Sequence, residues 1–276
     1  MTQTNSDQIA YWNAGPGETW AELQAQMDVQ LEPLGAQAMA ALAPQKHEQI
    51  LDIGCGSGQT TLALAALTQG VTGVDISRPL LDLARKRGAE VANARFIEAD
   101  AQTYRFEPAS FDGVFSRFGV MFFADPVAAF ANIRTALRPG GRVAFVCWRS
   151  PVNNPFMSLA LQAAAPLLPP APPPVPGAPG PFGFADPDRV HRVLSEAGFD
   201  GIDLAPHNEK IGNGDLEQTL STALKIGPLG AALREHPDKR DLVLDAVREV
   251  LRPHEGPDGM KLDSATWIVR ARNPNG

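Results

Sequence analysis

The chain of 276 residues has little cysteine and no long apolar run. Its two cysteines, Cys55 and Cys147, are too few for a disulfide framework, which fits a reducing compartment. No apolar run approaches the roughly 18 residues of a membrane-spanning helix. The polar first residues lack the basic-then-apolar order of a secretory signal. We therefore expect a cytoplasmic protein with no membrane partner.

A basic surplus is also missing. The chain has 31 acidic and 24 basic side chains, a formal net charge of −7 and a pI of about 5.3. Nucleic-acid-binding domains usually present a basic face, so this balance argues against DNA or long RNA as the main partner. A hydrophobic share of 44% is enough for a sizeable core. The length allows one large α/β domain, or one domain with an elaborated second lobe.

Strand and helix patterns alternate through residues 49–149. Repeated β-α units of this length predict a parallel sheet with right-handed crossovers. Two further strands are predicted near the C-terminal end. The seven predicted strands are Gln49–Ile53, Val71–Asp75, Ala94–Glu98, Phe111–Ser116, Arg142–Trp148, Gly201–Lys210 and Ser264–Arg272.

The segments before and after residues 49–149 do not show this alternation of strand and helix patterns. Residues 7–43 have partial helical spacing, broken at residues 13–17 and by Pro33. The proline-dense residues 166–181 predict a stiff, exposed connection. Residues 216–251 are mostly helical, and their leucine stripe either forms core or faces an apolar substrate. We predict four parts: a helical lid (1–45), a ligand-binding core (46–150), a proline-rich connection with a cap helix (151–198), and the last two strands with inserted substrate-cap helices (199–276).

A glycine turn follows the first strand. Gly54, Gly56 and Gly58 read G-x-G-x-G, which differs from the G-x-G-x-x-G of dinucleotide enzymes and from the G-K-[ST] ending of a P-loop. A strand, a turn nearly without side chains and a helix N-terminus allow a ligand to approach the backbone. Asp52 would repel a pyrophosphate but suits a ligand with an ammonium or sulfonium charge.

Two more acids end the next two strands. Asp75 can accept both hydroxyls of a ribose, and Asp100 can accept an adenine amino group. The alternative role for Asp75, capping the helix that follows, is already filled by Ser77. Three acids at successive strand ends, beside the switch point of the sheet, predict a ligand site.

With these motifs, the sequence resembles the class I S-adenosylmethionine (SAM)-dependent methyltransferases, in the small-molecule branch that includes the ubiquinone/menaquinone C-methyltransferases. Residues 50–58 resemble their first motif, Val74-Asp75 the ribose-binding acid, Ala99-Asp100-Ala101 the adenine contact and residues 136–141 the turn before strand five. The resemblance implies a Rossmann-like, seven-stranded, mostly parallel sheet with an antiparallel last strand, covered by a helical cap. It implies SAM as cofactor, S-adenosylhomocysteine as product, and these cofactor-binding residues: Trp20, Asp52, Gly54, Cys55, Gly56, Gln59, Thr60, Asp75, Ile76, Asp100, Ala101, Gln102 and Ser116.

The segment after strand four departs from several relatives. Residues 116–123 lack the Asn/Asp-Pro-Pro-aromatic motif of DNA and glutamine N-methyltransferases, and they lack the histidines that many small-molecule relatives carry there. The sequence contains no three acidic residues with a spacing that would predict a metal site. Arg117 either forms a salt bridge with one of the three acids or clamps an anionic or carbonyl-bearing acceptor. His191 and His207 are each either a surface or packing residue or a catalytic base. Predicted substrate contacts are Tyr11, Trp12, Met121 and Trp148.

Three functions fit these features to different degrees. The first is a methyltransferase that acts on the O, N or C atom of a small molecule by in-line displacement. The second is a non-catalytic protein that binds SAM or its demethylated product. The third, an NAD-dependent oxidoreductase, fits the fold but not the glycine spacing. We expect a monomer or a homodimer.

Overall fold

The computed structural model describes residues 4–170, 175–212 and 214–275, so the predicted Pro172-Pro173-Pro174 run lies outside it. Seven strands form one sheet in the order β3-β2-β1-β4-β5-β7-β6. Strand β7 is antiparallel to β5 and β6, whereas the other neighbouring strands are parallel. The predicted fold class is therefore confirmed. The strands are β1 (Gln49–Ile53), β2 (Gly70–Asp75), β3 (Ala94–Glu98), β4 (Phe111–Arg117), β5 (Leu137–Trp148), β6 (Asp200–Ile211) and β7 (Leu262–Arg272).

Helices cover the sheet on both faces and extend beyond its edge. They are α1 (Ser6–Trp12), α2 (Gly15–Glu22), α3 (Gln24–Leu42), α4 (Gln59–Ala65), α5 (Arg78–Arg87), α6 (Pro126–Ala136), α7 (Pro155–Ala164), α8 (Pro187–Glu196), α9 (Leu216–Ala223), α10 (Gly227–Glu235) and α11 (Arg240–Leu251). None of the helices in the described ranges is long and apolar enough to cross a bilayer.

The switch point of the sheet lies between β1 and β4. From β1 the chain proceeds to β2 and β3 on one side, and from β4 it proceeds to β5 on the other. Residues 50–53 of β1 are all buried, as expected for a central strand covered on both faces. Ligands bind in such sheets at the carboxyl ends of the strands next to the switch point.

The N-terminal helical segment differs from the prediction at Pro33. This proline does not break the helix but lies inside α3, and the chain breaks instead at Leu23. Proline removes one backbone hydrogen bond, yet α3 continues because a row of its side chains is buried against the sheet. The apolar members of this row are Met27, Leu31, Leu34, Ala38 and Leu42.

A second, smaller core lies beside the main one. Its buried side chains come from α7, from α9 to α11, and from the short hairpin formed by residues 255–256 and 259–260. We call this unit the cap. The cap thus joins residues that the sequence analysis divided between two parts, 151–198 and 199–276.

Candidate active site

One elongated cavity of about 290 Å³ lies at the carboxyl ends of the central strands. We divide its lining into two lobes. The sheet lobe is formed by the glycine turn, Asp75, Asp100 and the aromatic side chains of α1 and α2. The cap lobe is formed by apolar side chains of α7, α10 and β7, with the threonines of α9. Arg117, Phe118 and Trp148 also line this cavity.

The three glycines of the turn have positive φ angles of 67°, 52° and 84°, but different surroundings. A Cβ at Gly54 would lie 2.6 Å from Gly119 Cα, and one at Gly58 would lie 3.0 Å from Ala84 Cβ. These two glycines therefore permit packing. A Cβ at Gly56 would meet nothing of the protein closer than Leu80 Cδ1 at 4.0 Å. Of the three, Gly56 is the one where a ligand can approach the backbone.

Asp75 is fixed by backbone donors and lines the cavity. Its Oδ2 accepts a hydrogen bond from Gly56 N at 2.8 Å, and its Oδ1 accepts one from Ser77 N at 2.9 Å. Burial raises the pKa of Asp75, against the lowering effect of these backbone bonds. The Ser77 hydroxyl does not cap α5 as predicted, because it donates to the Trp12 carbonyl at 2.8 Å. Each carboxylate oxygen of Asp75 retains acceptor capacity for a further hydroxyl.

Asp100 is reached by the N-terminal segment. Its Oδ1 accepts hydrogen bonds from Asn5 Nδ2 at 2.7 Å and from Gln102 N at 2.9 Å. Asn5 Oδ1 in turn accepts from Ala124 N at 2.7 Å. Asn5 is only 5% exposed and lines the cavity. No local pattern predicts a role for Asn5, because its partners lie about a hundred residues further along the chain.

Asp52 has a different environment from the one predicted. It does not line the cavity, and its Oδ2 accepts hydrogen bonds from the hydroxyls of Thr60 and Thr61, each at 2.7 Å. Its Oδ1 has no partner among the described residues. Burial raises the pKa of Asp52 from 3.8 to about 6, against the lowering effects of both threonines and of Arg117. Asp52 ties the first turn of α4 to β1, and we correct its assignment as a ligand contact.

Arg117 pairs with an acid that was not predicted. Its Nη2 lies 4.0 Å from Asp28 Oδ1 on α3, and its Nη1 donates to Gln59 Oε1. None of Asp52, Asp75 and Asp100 forms a salt bridge with it.

Asp28 also accepts a hydrogen bond from Arg87 Nη2 at 2.7 Å, and Arg87 Nη1 donates to Ser57 O at 2.9 Å. This network contains two guanidinium groups and one carboxylate. Burial lowers the pKa of Arg117, whereas Asp28 and Asp52 raise it.

Two aromatic groups line the two lobes. In the sheet lobe, the Trp12 ring contacts those of Trp20 and Phe122 at centroid distances of 5.9 and 5.6 Å. Phe118 and Trp148, which also line the cavity, stack with centroids 4.1 Å apart and planes inclined by 9°. Phe118 has a φ of 63°, an unfavourable backbone conformation for a bulky residue.

Only some of the predicted cofactor, substrate and catalytic residues line the cavity. The residues that line it are Trp12, Trp20, Gly54, Cys55, Gly56, Thr60, Asp75, Ile76, Asp100, Ala101, Arg117, Met121 and Trp148. Three predicted cofactor residues lie behind the wall and hold it: Gln59 contacts Arg117, Gln102 Oε1 accepts from Asp125 N at 3.0 Å, and Ser116 Oγ accepts from Gly119 N at 3.2 Å. Tyr11, which is 41% exposed, packs behind Trp12 at 5.5 Å instead of lining the cavity.

The two candidate histidines lie away from the cavity. His191 is on the exposed side of α8, where its Nδ1 is 3.4 Å from Ser195 Oγ. His207 is on β6, with its Nε2 3.7 Å from Glu209. Neither lines the cavity, so the structure does not support the prediction of either as a base. Within the described ranges, no group of three or more His, Cys, Asp or Glu residues could hold a metal ion.

Comparison with known proteins agrees with this geometry. Residues 51–145 match the family described as "Methyltransferase domain". Residues 51–145 are therefore similar to a methyltransferase domain. The segment contains the glycine turn, Asp75, Asp100 and Arg117.

Similar proteins extend the match beyond this segment. An O-methyltransferase from Penicillium expansum is 28% identical over 207 residues, which are 74% of this chain and 68% of the relative. A demethylmenaquinone methyltransferase from Clavibacter sepedonicus is 34% identical over 132 residues, 46% of this chain, and the match spans only 54% of its own length. Among solved structures, phosphoethanolamine N-methyltransferase 2 of Haemonchus contortus has a TM-score of 0.54 at 19% identity, covering 88% of this chain and 52% of that chain. The similarity to this last structure, at 19% identity, concerns the fold alone.

Proposed function

We propose that the chain is a SAM-dependent methyltransferase that methylates an O, N or C atom of a small, largely apolar acceptor. One observation carries the proposal: a single cavity joins the glycine turn, Asp75 and Asp100 to the apolar side chains of the cap. Two reactants of different polarity would meet in this cavity, one in each lobe. The relatives named above are methyltransferases by name, one of them a demethylmenaquinone methyltransferase, and the Haemonchus contortus structure contains S-adenosylhomocysteine; both observations support the proposal.

The sheet lobe has groups that fit SAM. Asp75 would accept the ribose hydroxyls, Asp100 the adenine amino group, and the open space at Gly56 would admit the ligand close to the backbone. Trp12 and Trp20 supply aromatic surface that attracts a sulfonium charge. When bound, SAM supplies an electrophilic methyl group on sulfur.

The residues of this chain would mainly orient the two reactants and exclude water from the reacting atoms. Arg117 would hold a carbonyl or anionic oxygen of the acceptor, because its side chain lines the cavity. The apolar walls exclude water from the reacting atoms. Alignment of two bound reactants supplies on the order of 7–11 kcal/mol in favourable cases.

The acceptor would provide its own nucleophile. Among the described lining residues there is no histidine, and burial raises the pKa of the Cys55 thiol well above its usual value, so this thiol stays protonated. A phenol, enol or amine that is already nucleophilic near neutral pH needs no base from the protein.

The test is a search for labelled products. The full chain is incubated with SAM carrying a trideuterated methyl group and with small-molecule extracts, and products that gain this group are sought by mass spectrometry. We expect at least one product, which is lost with Arg117→Met while S-adenosylhomocysteine still binds. Binding of S-adenosylhomocysteine with no labelled product in any extract would favour the non-catalytic alternative.

The proposal includes a cytoplasmic enzyme that acts as a monomer or homodimer. Its two cysteines, Cys55 and Cys147, are both unpaired and buried, which supports a reducing compartment.

A further inference from the structure

The side chain of Arg117 is held by neighbours from two helices. Its Nη1 donates a hydrogen bond to Gln59 Oε1 on α4, and its stem passes beside Gly35 of α3. Gln59 is itself fixed, because its Nε2 donates to Asp28 O at 3.1 Å. These contacts restrict the orientation of the guanidinium, yet they use only one of its hydrogen-bond donors.

The remaining donors of Arg117 include one whole edge of the guanidinium. A guanidinium has five N–H groups in a planar fork, and its Nε–H and one Nη2–H point in the same direction. Nε and Nη2 have no hydrogen-bond partner among the described residues; Asp28 Oδ1 lies 4.0 Å from Nη2, too far for a hydrogen bond. Neither nitrogen is sealed from solvent, and the side chain as a whole is 14% exposed. This edge is therefore accessible on a side chain that lines the cavity.

Two parallel N–H groups on a planar edge fit two oxygens on one carbon. Arginine and carboxylate groups pair in this bidentate way, and such charge-assisted hydrogen bonds are roughly twice as strong as neutral ones. A neutral carbonyl offers one oxygen and would leave one donor of the edge without a partner. A phosphate would bring up to a second negative charge. The Asp28 carboxylate beside Nη2 disfavours that second charge.

The cavity also has apolar walls. Phe118, the residue after Arg117, stacks on Trp148, and both rings line the cavity. The cap contributes further apolar lining, including Phe156 and Leu262. A flat apolar body fits such walls, and a single charged group on it would find its partner in Arg117.

We propose that the acceptor is an apolar aromatic carboxylic acid and that Arg117 binds its carboxylate through Nε and Nη2. This inference rests on the proposed function, because it assigns part of the cavity to the acceptor. It narrows the oxygen that Arg117 holds to a carboxylate. The methionine tail of SAM carries the same chemical group, so the test has to separate these two sources.

The test uses two pairs of probes, each an acid and its neutral amide: benzoate with benzamide, and 2-naphthoate with 2-naphthamide. Their binding to the full chain saturated with S-adenosylhomocysteine is measured by titration calorimetry near neutral pH. We expect the acid of at least one pair to bind roughly 10-fold more tightly than its amide. In Arg117→Met this preference should vanish. In Arg117→Lys, which keeps the charge but not the fork, it should fall below about threefold.

Arg134→Met is the matched control. Arg134 is also partly buried, and its Nε donates to Ala197 O at 2.9 Å, but it does not line the cavity. This variant should keep the preference of the original chain for the acid.

Two kinds of result overturn the proposal. The first is no preference for either acid in the original chain, or a full preference in Arg117→Lys; the lysine variant decides alone if Arg117→Met does not fold. The second is a loss of S-adenosylhomocysteine affinity above roughly tenfold in folded Arg117→Met, which would assign Arg117 to the methionine tail. If S-adenosylhomocysteine does not bind the original chain, the proposed function itself fails; if it binds and the acids show no preference, only the carboxylate assignment is rejected.

Discussion

Gly35 leaves the space through which the side chain of Arg117 passes. A Cβ at position 35 would lie 2.9 Å from Arg117 Cδ, closer than such atoms can approach. Gly35 is in the interior of α3, where glycine costs about 1 kcal/mol relative to alanine. Helix α3 thus contains a residue of low helix propensity at the point where it packs against Arg117.

Gly35→Ala should therefore impair activity without unfolding the chain. The added methyl group displaces Arg117, and misplacement of a positioning group by about 1 Å can cost up to roughly 100-fold in rate. We expect kcat/KM for the acceptor to fall by roughly 10- to 100-fold, with S-adenosylhomocysteine affinity within about twofold. Gly15→Ala is the matched control, because a Cβ there meets no atom within 4 Å. Equal activity of Gly35→Ala and the original chain would exclude a role for the position of Arg117.

Gly56→Ala should weaken cofactor binding. The new methyl group would extend into space that the protein leaves open, with Leu80 Cδ1 at 4.0 Å as its nearest neighbour. Gly201 is a close control, since its φ of 56° resembles the 52° of Gly56 and its nearest neighbour lies at 3.9 Å. Both substitutions carry the left-handed backbone cost of about 1–2 kcal/mol and should destabilise the fold alike. Calorimetry should show at least a tenfold loss of S-adenosylhomocysteine affinity, about 1.4 kcal/mol, for Gly56→Ala only.

The buried carboxyl of Asp52 makes stability depend on pH. Its pKa in the folded chain is about 6 instead of 3.8, so the folded state binds this proton more tightly than the unfolded state. The proton on Asp52 therefore stabilises the folded chain fully below pH 3.8, and this stabilisation is lost as pH rises through 6. The whole change in the free energy of unfolding is about 3 kcal/mol.

Asp52→Asn removes this titration and keeps an oxygen for Thr60 and Thr61. The free energy of unfolding of Asp52→Asn relative to the original chain should increase by about 2 kcal/mol between pH 4 and pH 7. Urea unfolding at both pH values measures it. A difference between the two proteins that does not change with pH would show that the pKa of Asp52 is the same in the folded and the unfolded chain.

Asn5 should control the release of the cofactor product. It joins the N-terminal segment to Asp100 and to Ala124 N, beside the sheet lobe. Without it, helices α1 and α2 are held more weakly, so S-adenosylhomocysteine should dissociate faster from Asn5→Ala. Stopped-flow fluorescence can follow this, because Trp12 and Trp20 line the same lobe.

A suitable control for Asn5 is Asn93. Its Nδ2 also holds two groups, the carbonyls of Ala65 and Thr68, but it lies before β3, at the opposite end from the cavity. Asn93→Ala should lower stability without changing the dissociation rate. An equal change of that rate in both variants would mean that Asn5 acts only through general stability.

Local sequence patterns predicted the sheet and two of the acids that line the cavity. Asp75 and Asp100 were found because a short apolar strand ends at each, and parallel strands bring such ends to one edge. Asp52 has the same local signature but a different role, because its side chain meets the hydroxyls of Thr60 and Thr61 on α4 and not the cavity. Strand pattern alone does not tell these two outcomes apart.

The remaining site residues depend on contacts between distant segments. Asn5 meets Asp100 across 95 positions, and Arg87 meets Asp28 across 59. Such contacts depend on how α1 to α3 fold over the sheet. Local periodicity in the sequence does not indicate how these helices pack.

The central claim is that the sheet lobe binds SAM, and titration calorimetry of the full chain with SAM and with NAD tests it most directly. We expect one SAM site per chain and no heat from NAD. Asp75→Ala should weaken SAM binding by about 1.5–3 kcal/mol for each charged hydrogen bond that is lost. Binding of NAD in the absence of SAM binding, or a SAM affinity that Asp75→Ala leaves unchanged, would contradict the account.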